Sequence, residues 1–200
     1  MSGDIMEHKH HAKSSVNFLD SDEILEKLDL KGNEAFMDAG CGDGHIAIRA
    51  LQDYLPDGMA YAVDNYDVSI KELEEYKTEN NLENLININA DITCDIPQIE
   101  DNAIDLIFML NVVHGFKAAG NMDNVIEKLL RLLKTDGRIA IVEFRPIEWT
   151  FGPPLEIKYA PEELEEIFNK HGFKKIYLNE ELGQEGIEEK SHYMIIFEKE

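Results

Sequence analysis

The segment from Ala35 to His45, AFMDAGCGDGH, constrains this chain more than any other: a short apolar run ends in Asp38, and glycines follow at 40, 42 and 44. A strand that turns at once into a helix, with its backbone against a ligand, needs residues without side chains at the turn. Ile46, Ala47, Ala50, Leu51, Tyr54 and Leu55 then recur at the spacing of one buried helical face, so the glycines stand where a strand hands over to a helix. The arrangement reads as a nucleotide-type binding loop. It disfavours the dinucleotide pattern G-x-G-x-x-G, which counted from Gly40 requires a small residue where His45 stands. A polyphosphate loop is excluded, because no Lys-Ser or Lys-Thr follows the glycines to hold phosphates and magnesium.

Beyond this loop, apolar strand-like runs alternate with amphipathic helical stretches at 44–55, 67–80 and 121–133. Such alternation predicts a parallel sheet covered on both faces. Ahead of the first strand, Asp20 with Glu23 resembles a capping box, and Ile24, Leu25 and Leu28 mark a short helix. A last helix starts near Pro161, carries Leu164, Ile167 and Phe168 on one face and stops at Gly172. Two strands, Phe173 to Leu178 and His192 to Phe197, follow with no helix between them, so they are predicted to pair antiparallel. With 200 residues and neither internal repeat nor linker, the chain reads as a single domain, 1–200. Residues 1–17 lack periodicity and read as a flexible segment or one that folds over a ligand.

The motifs, in order, resemble those of the class I S-adenosylmethionine-dependent methyltransferases. Asp38 with Gly40, Gly42 and Gly44 is similar to the family's first motif. The run Met59 to Val63 ends in Asp64 and Asn65, where the family's acidic residue accepts hydrogen bonds from the ribose hydroxyls of the cofactor. LININAD ends in Asp91, matching the position that, with the following Ile92, meets the adenine. IDLIFMLNVVH resembles the fourth motif, in which Asn111 would line the methionine part, and LLRLLKTDGRIAIVEF resembles the late helix, Lys-x-x-Gly turn and strand. The resemblance spans 35–144 as a cofactor-binding core and leaves 145–200 as the substrate side. It implies a Rossmann-like α/β fold with a seven-stranded, mostly parallel sheet, an antiparallel last strand and helices on both faces. S-adenosyl-L-methionine is the implied cofactor, held by Asp38, Gly40, Cys41, Gly42, Gly44, Asp64, Asn65, Asp91, Ile92 and Asn111. Within the family, Glu143-Phe144 after the fifth strand is most similar to the quinone-biosynthesis methylases. The N-terminal segment differs from theirs, so no quinone substrate is carried over.

Charge bears on partners. Acids number 41 against 19 Lys and Arg, a formal net charge of -22, and such a field opposes binding to a phosphate backbone. Nucleic-acid partners are not expected, and Asn111 is followed by Val112, Val113 and His114 instead of the Asn-Pro-Pro-Tyr type of motif that nucleic-acid methylases use. The acids fall in runs such as KELEEYKTEN and PEELEEIFNK, which read as solvated helix faces or as salt adaptation. No apolar run approaches the ~20 residues of a membrane-spanning helix, no targeting segment is visible, and Cys41 and Cys94 form no C-x-x-C pair. A cytoplasmic location is the expectation, with two cysteines too few for an arsenite methylase.

Methyl transfer is an in-line displacement at carbon that asks the protein to align the acceptor and exclude water. His114, beyond the fourth strand, is the candidate catalytic base for a protonated acceptor; the alternative is an imidazole that packs or bonds locally. Cys41 reads as a small buried residue filling the loop, not as a nucleophile. In RPIEWTFGPP, Arg145, Trp149 and Phe151 stand beside Pro153-Pro154, as walls for an apolar or aromatic small-molecule acceptor or as packing for the N-terminal segment. His8, His10 and His11 supply imidazoles without the i, i+4 spacing of a helical metal site, and no metal is assigned. Two further classes stay open at this point: a non-catalytic binder of the same cofactor and a nicotinamide-dependent oxidoreductase.

Overall fold

A computed structural model describes residues 19–148, 151–183 and 190–200. The reading of 1–17 as a flexible segment, His8, His10, His11 and Trp149 lie outside the described residues. The Asp20 carboxylate accepts the N–H groups of Asp22 at 2.9 Å and Glu23 at 3.4 Å and so starts helix α1, Ser21–Lys27. Glu34 then accepts from the amides of Lys31, Gly32 and Asn33 at 2.5, 2.9 and 3.2 Å, fixing the turn that feeds strand β1, Ala35–Ala39.

The chain continues with α2 (His45–Asp53), β2 (Met59–Asp64), α3 (Asp67–Asn80), β3 (Leu85–Asn89), β4 (Ile104–Leu110), α4 (Val113–Ala119), α5 (Met122–Leu132) and β5 (Leu133–Phe144), with no helix between β3 and β4. Then come a single 3-10 turn at Leu155–Ile157, α6 (Pro161–Lys170), β6 (Phe173–Leu182) and β7 (His192–Lys199). The sheet has seven strands in the order β3-β2-β1-β4-β5-β7-β6. Strands β1 to β5 pair in parallel, and β7 inserts between β5 and β6, antiparallel to both. The last strand is thus the antiparallel one, in agreement with the fold the sequence implies.

Two apolar layers hold the helices against the sheet. On one face Ile24, Leu25, Ile46, Ala50, Ile70 and Leu73 from α1 to α3 pack on Phe36, Phe108, Val142 and Ile196. On the other, Phe116, Ile126, Leu129, Leu164 and Phe168 from α4 to α6 pack on Ile107, Ile141, Tyr193 and Phe197. Phe168 stacks on Phe197 with centroids 4.2 Å apart and meets Phe173 edge-on at 5.4 Å.

Three details depart from the sequence reading. His114 sits on the short helix α4 and not in a loop. The Lys-x-x-Gly turn does not separate helix from strand: β4 partners step from Leu133 directly to Arg138, so residues 134–137 bulge out of β5 itself. Finally, β6 runs on to Leu182, past the predicted end at Leu178, with register shifts after Lys175 and Asn179.

Candidate functional site

Strand order reverses direction of travel at β1, whose neighbours are β2 and β4. In an open α/β sheet the crevice beyond the carboxyl ends of the strands at such a point is where ligands bind. The glycine loop fills one side of it. Gly40, Gly42 and Gly44 have φ of 81°, 54° and 73°, in the left-handed region that L side chains rarely adopt. Their surroundings differ. A Cβ on Gly40 would lie 2.6 Å from Val112, and one on Gly44 would lie 2.7 Å from the methyls of Leu73, whereas a Cβ on Gly42 would meet none of the described residues within 4 Å. The outer glycines are small because the protein packs on them; the middle one faces open space.

The loop amides are committed internally. Gly40 and Cys41 both donate to the Val63 carbonyl, at 2.8 and 3.1 Å, and Gly44 donates to Cys41 at 2.9 Å. Gly42 donates to Asp64 Oδ2 at 2.9 Å, while Tyr66 N–H donates to Oδ1 at 2.8 Å. What this loop offers is therefore a bare backbone surface, a carboxylate edge and little spare N–H capacity. Cys41 is buried, and burial pushes its thiol above the ordinary range, as expected of a small loop filler.

Asp38, at the end of β1, is buried; burial pushes its carboxyl up to about 7, against the pull of His45 and of the Ala47 N–H. Asn65 is exposed just past the end of β2. Asp91 lies two residues past β3, exposed, with Oδ1 accepting Thr93 N–H at 2.8 Å, and Ile92 beside it is buried. Asn111, one residue past β4, has a φ of 56° and donates its backbone N–H to Val142 at 2.9 Å, while its buried Oδ1 has no hydrogen-bond partner among the described residues. Every predicted cofactor residue thus falls along the same carboxyl edge of β1 to β4.

At the carboxyl ends of β4 and β5, His114 on α4 and Glu143 on β5 form a second cluster. The His114 Nδ1 lies 3.1 and 3.0 Å from the two carboxylate oxygens of Glu143, and its backbone N–H donates to Oε2 at 3.2 Å. Glu143 is fully buried, and Oε1 also accepts the Phe144 N–H at 2.8 Å. Because the carboxylate accepts at Nδ1, Nε2 is left as the ring atom with a free lone pair. The Phe144 ring touches three polar side chains: His114 edge-on at 6.3 Å, His192 at 4.2 Å and the Lys158 ammonium at 5.8 Å. Phe151 lies edge-on to the same ring at 6.1 Å, and a Cβ on Gly152 would come within 2.6 Å of it.

Glu143 entered the sequence reading only as half of a Glu-Phe resemblance, His192 only as the first residue of a predicted strand, and Lys158 not at all. One signal was available: an acid inside IAIVEF interrupts a run otherwise suited to a strand buried on both sides. Among the described residues no group of His, Cys, Asp and Glu is placed to hold a metal ion. Nor is any helix among them long and apolar enough to cross a membrane.

The fold recurs in solved structures. A SAM-dependent methyltransferase from Aquifex aeolicus superposes with a TM-score of 0.79 at 23% identity, over 95% of both chains. The [4+2]-cyclase SpnF superposes with a TM-score of 0.71 at 17% identity, over 90% of this chain and 79% of that one. The demethylmenaquinone methyltransferase of Lactobacillus johnsonii is 24% identical over 122 residues, 60% of this chain and 48% of its own, so the chain matches about half the length of that relative. A methyltransferase domain family model matches residues 30–199, nearly the whole chain. With that match lying over an Asp-Gly loop, an acid at the end of β2 and the seven-stranded sheet just described, the chain belongs to the class I S-adenosylmethionine-dependent methyltransferases.

Proposed function

We propose that this protein transfers a methyl group from S-adenosylmethionine to a small-molecule acceptor, with His114 as the base and Glu143 as its positioning partner. The observation that carries this reading is the contact of His114 Nδ1, 3.0 Å from a fully buried carboxylate, on the helix whose preceding residue, Val112, packs on Gly40 of the glycine loop. The residues present fit the cofactor on two structural counts. Gly42 leaves its side of the loop open, and the Asn111 amide oxygen is buried without a partner among the described residues. Asp64 would hold the ribose hydroxyls, Asp91 and Ile92 the adenine, and Asp38 with Asn111 the amino-acid head. The relative's name, a methyltransferase of a demethylmenaquinone, supports a small-molecule acceptor.

When bound, the cofactor supplies a methyl carbon on a sulfonium, whose sulfur keeps the bonding electron pair as the carbon leaves. The protein must bring the acceptor's lone pair in line and take its proton. His114 Nε2 receives that proton. The resulting imidazolium is stabilised by Glu143, whose two oxygens already bracket Nδ1. Glu143 is a poor choice of base in its own right, because both its oxygens are committed to His114 and to the Phe144 amide.

Calorimetry with S-adenosylmethionine, S-adenosylhomocysteine and NAD, followed by tritiated-methyl transfer into fractionated lysate, tests this reading. Micromolar-range binding of the first two, none of NAD and label in a small-molecule fraction are expected. Tighter binding of NAD would overturn it in favour of an oxidoreductase. Binding without transfer to any fraction would make the chain a non-catalytic binder.

A further inference from the structure

Two buried polar groups beside Phe144 have hydrogen-bonding capacity that no described residue uses. Lys158 is 3% exposed, yet its ammonium makes one hydrogen bond, to the Ile147 carbonyl at 2.7 Å, and forms no ion pair with any described residue. His192 is fully buried; its Nδ1 shares a 2.7 Å hydrogen bond with Ser191 Oγ, and its Nε2 has no partner among the described residues. Glu143 is an acid in electrostatic reach of both, and its oxygens are taken by His114 and the Phe144 amide. A buried cation without a contacting counterion and a buried ring nitrogen without a described partner, both against the same Phe144 ring, are costly unless something else completes them.

Position says what would complete it. Both groups border the Phe144 ring, which His114 also touches, and Phe151, 37% exposed, continues the aromatic contact towards the surface. Building on the function proposed above, we infer that Lys158 and His192 form the polar end of the acceptor pocket. There they hold an anionic ring oxygen, phenolate or enolate, of an aromatic acceptor lying beside Phe144. The ammonium neutralises the oxygen and His192 donates from Nε2 in the tautomer whose Nδ1 accepts from Ser191. The atom that takes the methyl group is a different one, turned towards His114. Burial holds the His192 imidazole down to about 4, so it serves as a neutral donor and does not repel Lys158. In a chain of net charge -22, a desolvated lysine is also the feature that would admit an anion the surface otherwise repels.

4-Nitrophenol is a suitable probe, because its absorbance separates phenol from phenolate; 4-nitroanisole is its uncharged counterpart. Each is titrated into wild-type protein with and without S-adenosylhomocysteine, below the solution pKa of the phenol, while the His192 Nε2 resonance is followed in protein labelled with nitrogen-15 at histidine. The phenol should bind with the spectrum of the anion and shift Nε2. Lys158→Met should weaken it about 10- to 100-fold, the range that loss of a charge-assisted hydrogen bond gives, while leaving 4-nitroanisole unaffected. Lys158→Arg should retain part of the binding. No phenol binding, binding as the neutral form, a stationary Nε2 signal or a folded Lys158→Met variant with unchanged affinity would each overturn the inference. If Lys158→Met fails to fold, the wild-type spectrum and Nε2 shift decide alone. Failure of S-adenosylhomocysteine to bind tells against the proposed function, and the titration without it still decides this inference.

Discussion

Gly42 and Asp64 are joined by an N–H to carboxylate hydrogen bond of 2.9 Å that ties the tip of the glycine loop to the end of β2. The other oxygen of Asp64 accepts from Tyr66 at the start of α3. The carboxylate proposed to hold the ribose is therefore also the part that shapes the loop. Asp64→Ala removes both roles at once. Cofactor affinity should fall by roughly 1.5 to 3 kcal/mol for each charge-assisted hydrogen bond lost, and the unfolding midpoint should drop as two backbone donors lose their acceptor. Calorimetry with S-adenosylhomocysteine and thermal unfolding separate the two losses. Unchanged affinity would refute the ribose role.

The glycines should divide under substitution. Gly44→Ala places a methyl 2.7 Å from Leu73 at a φ of 73°, so left-handed strain of about 1 to 2 kcal/mol adds to overpacking of about 1 to 3 kcal/mol. Gly42→Ala carries the strain at a φ of 54° without the clash. We expect the first variant to lose the larger share of stability and the second to keep its fold while losing cofactor affinity. Equal losses of stability in both, measured by denaturant titration, would remove the distinction between packing glycine and ligand-facing glycine.

Much of this was legible in the sequence because it is local. The Asp-Gly loop, the acids after β1 to β3 and the alternation of runs each lie within a dozen residues, where spacing reports geometry directly. The pairing of His114 with Glu143, 29 positions apart, needs the parallel register of β4 and β5, and that register is interrupted by the bulge at 134–137. The unsatisfied Lys158 and His192 were illegible for a different reason. A lysine or histidine in sequence reads as exposed by default, and burial arises here only when β7 inserts beside β5 and sets His192 opposite Phe144. The loop amides also escaped sequence reasoning, since glycine spacing does not reveal that Val63 and Asp64 already accept them.

Asp38 gives the protein a characteristic pH response. Its carboxyl stands near 7 in the folded chain and near the ordinary carboxylate value of 3.8 when unfolded, so the folded state binds more protons between those limits. Stability from this group is fully present below about pH 4 and is lost as pH rises through about 7. Asp38→Asn should remove that component, so the difference in unfolding free energy between variant and wild type should grow in the variant's favour from pH 4 to 7 and then level off. A difference that stays flat over this window would show that Asp38 ionises in the folded protein as it does in water.

The last prediction concerns division of labour between His114 and Glu143. If Glu143 acts only by fixing the imidazole, Glu143→Gln leaves a group of the same shape that still touches Nδ1 but no longer stabilises the imidazolium. Methyl transfer to the acceptor found by tritium labelling should then fall roughly 100-fold in kcat, within the range attributed to general-base catalysis. S-adenosylhomocysteine affinity should not change. His114→Ala should fall at least as far and recover part of its rate with added imidazole, which can occupy the vacated space and accept the proton. Glu143→Gln should not respond to imidazole, because its own ring is in place. The double variant should be little worse than His114→Ala, since residues that act as one unit are not additive. Rescue of both variants, or additive losses, would show that the two side chains act independently and would leave the His114–Glu143 contact as packing alone.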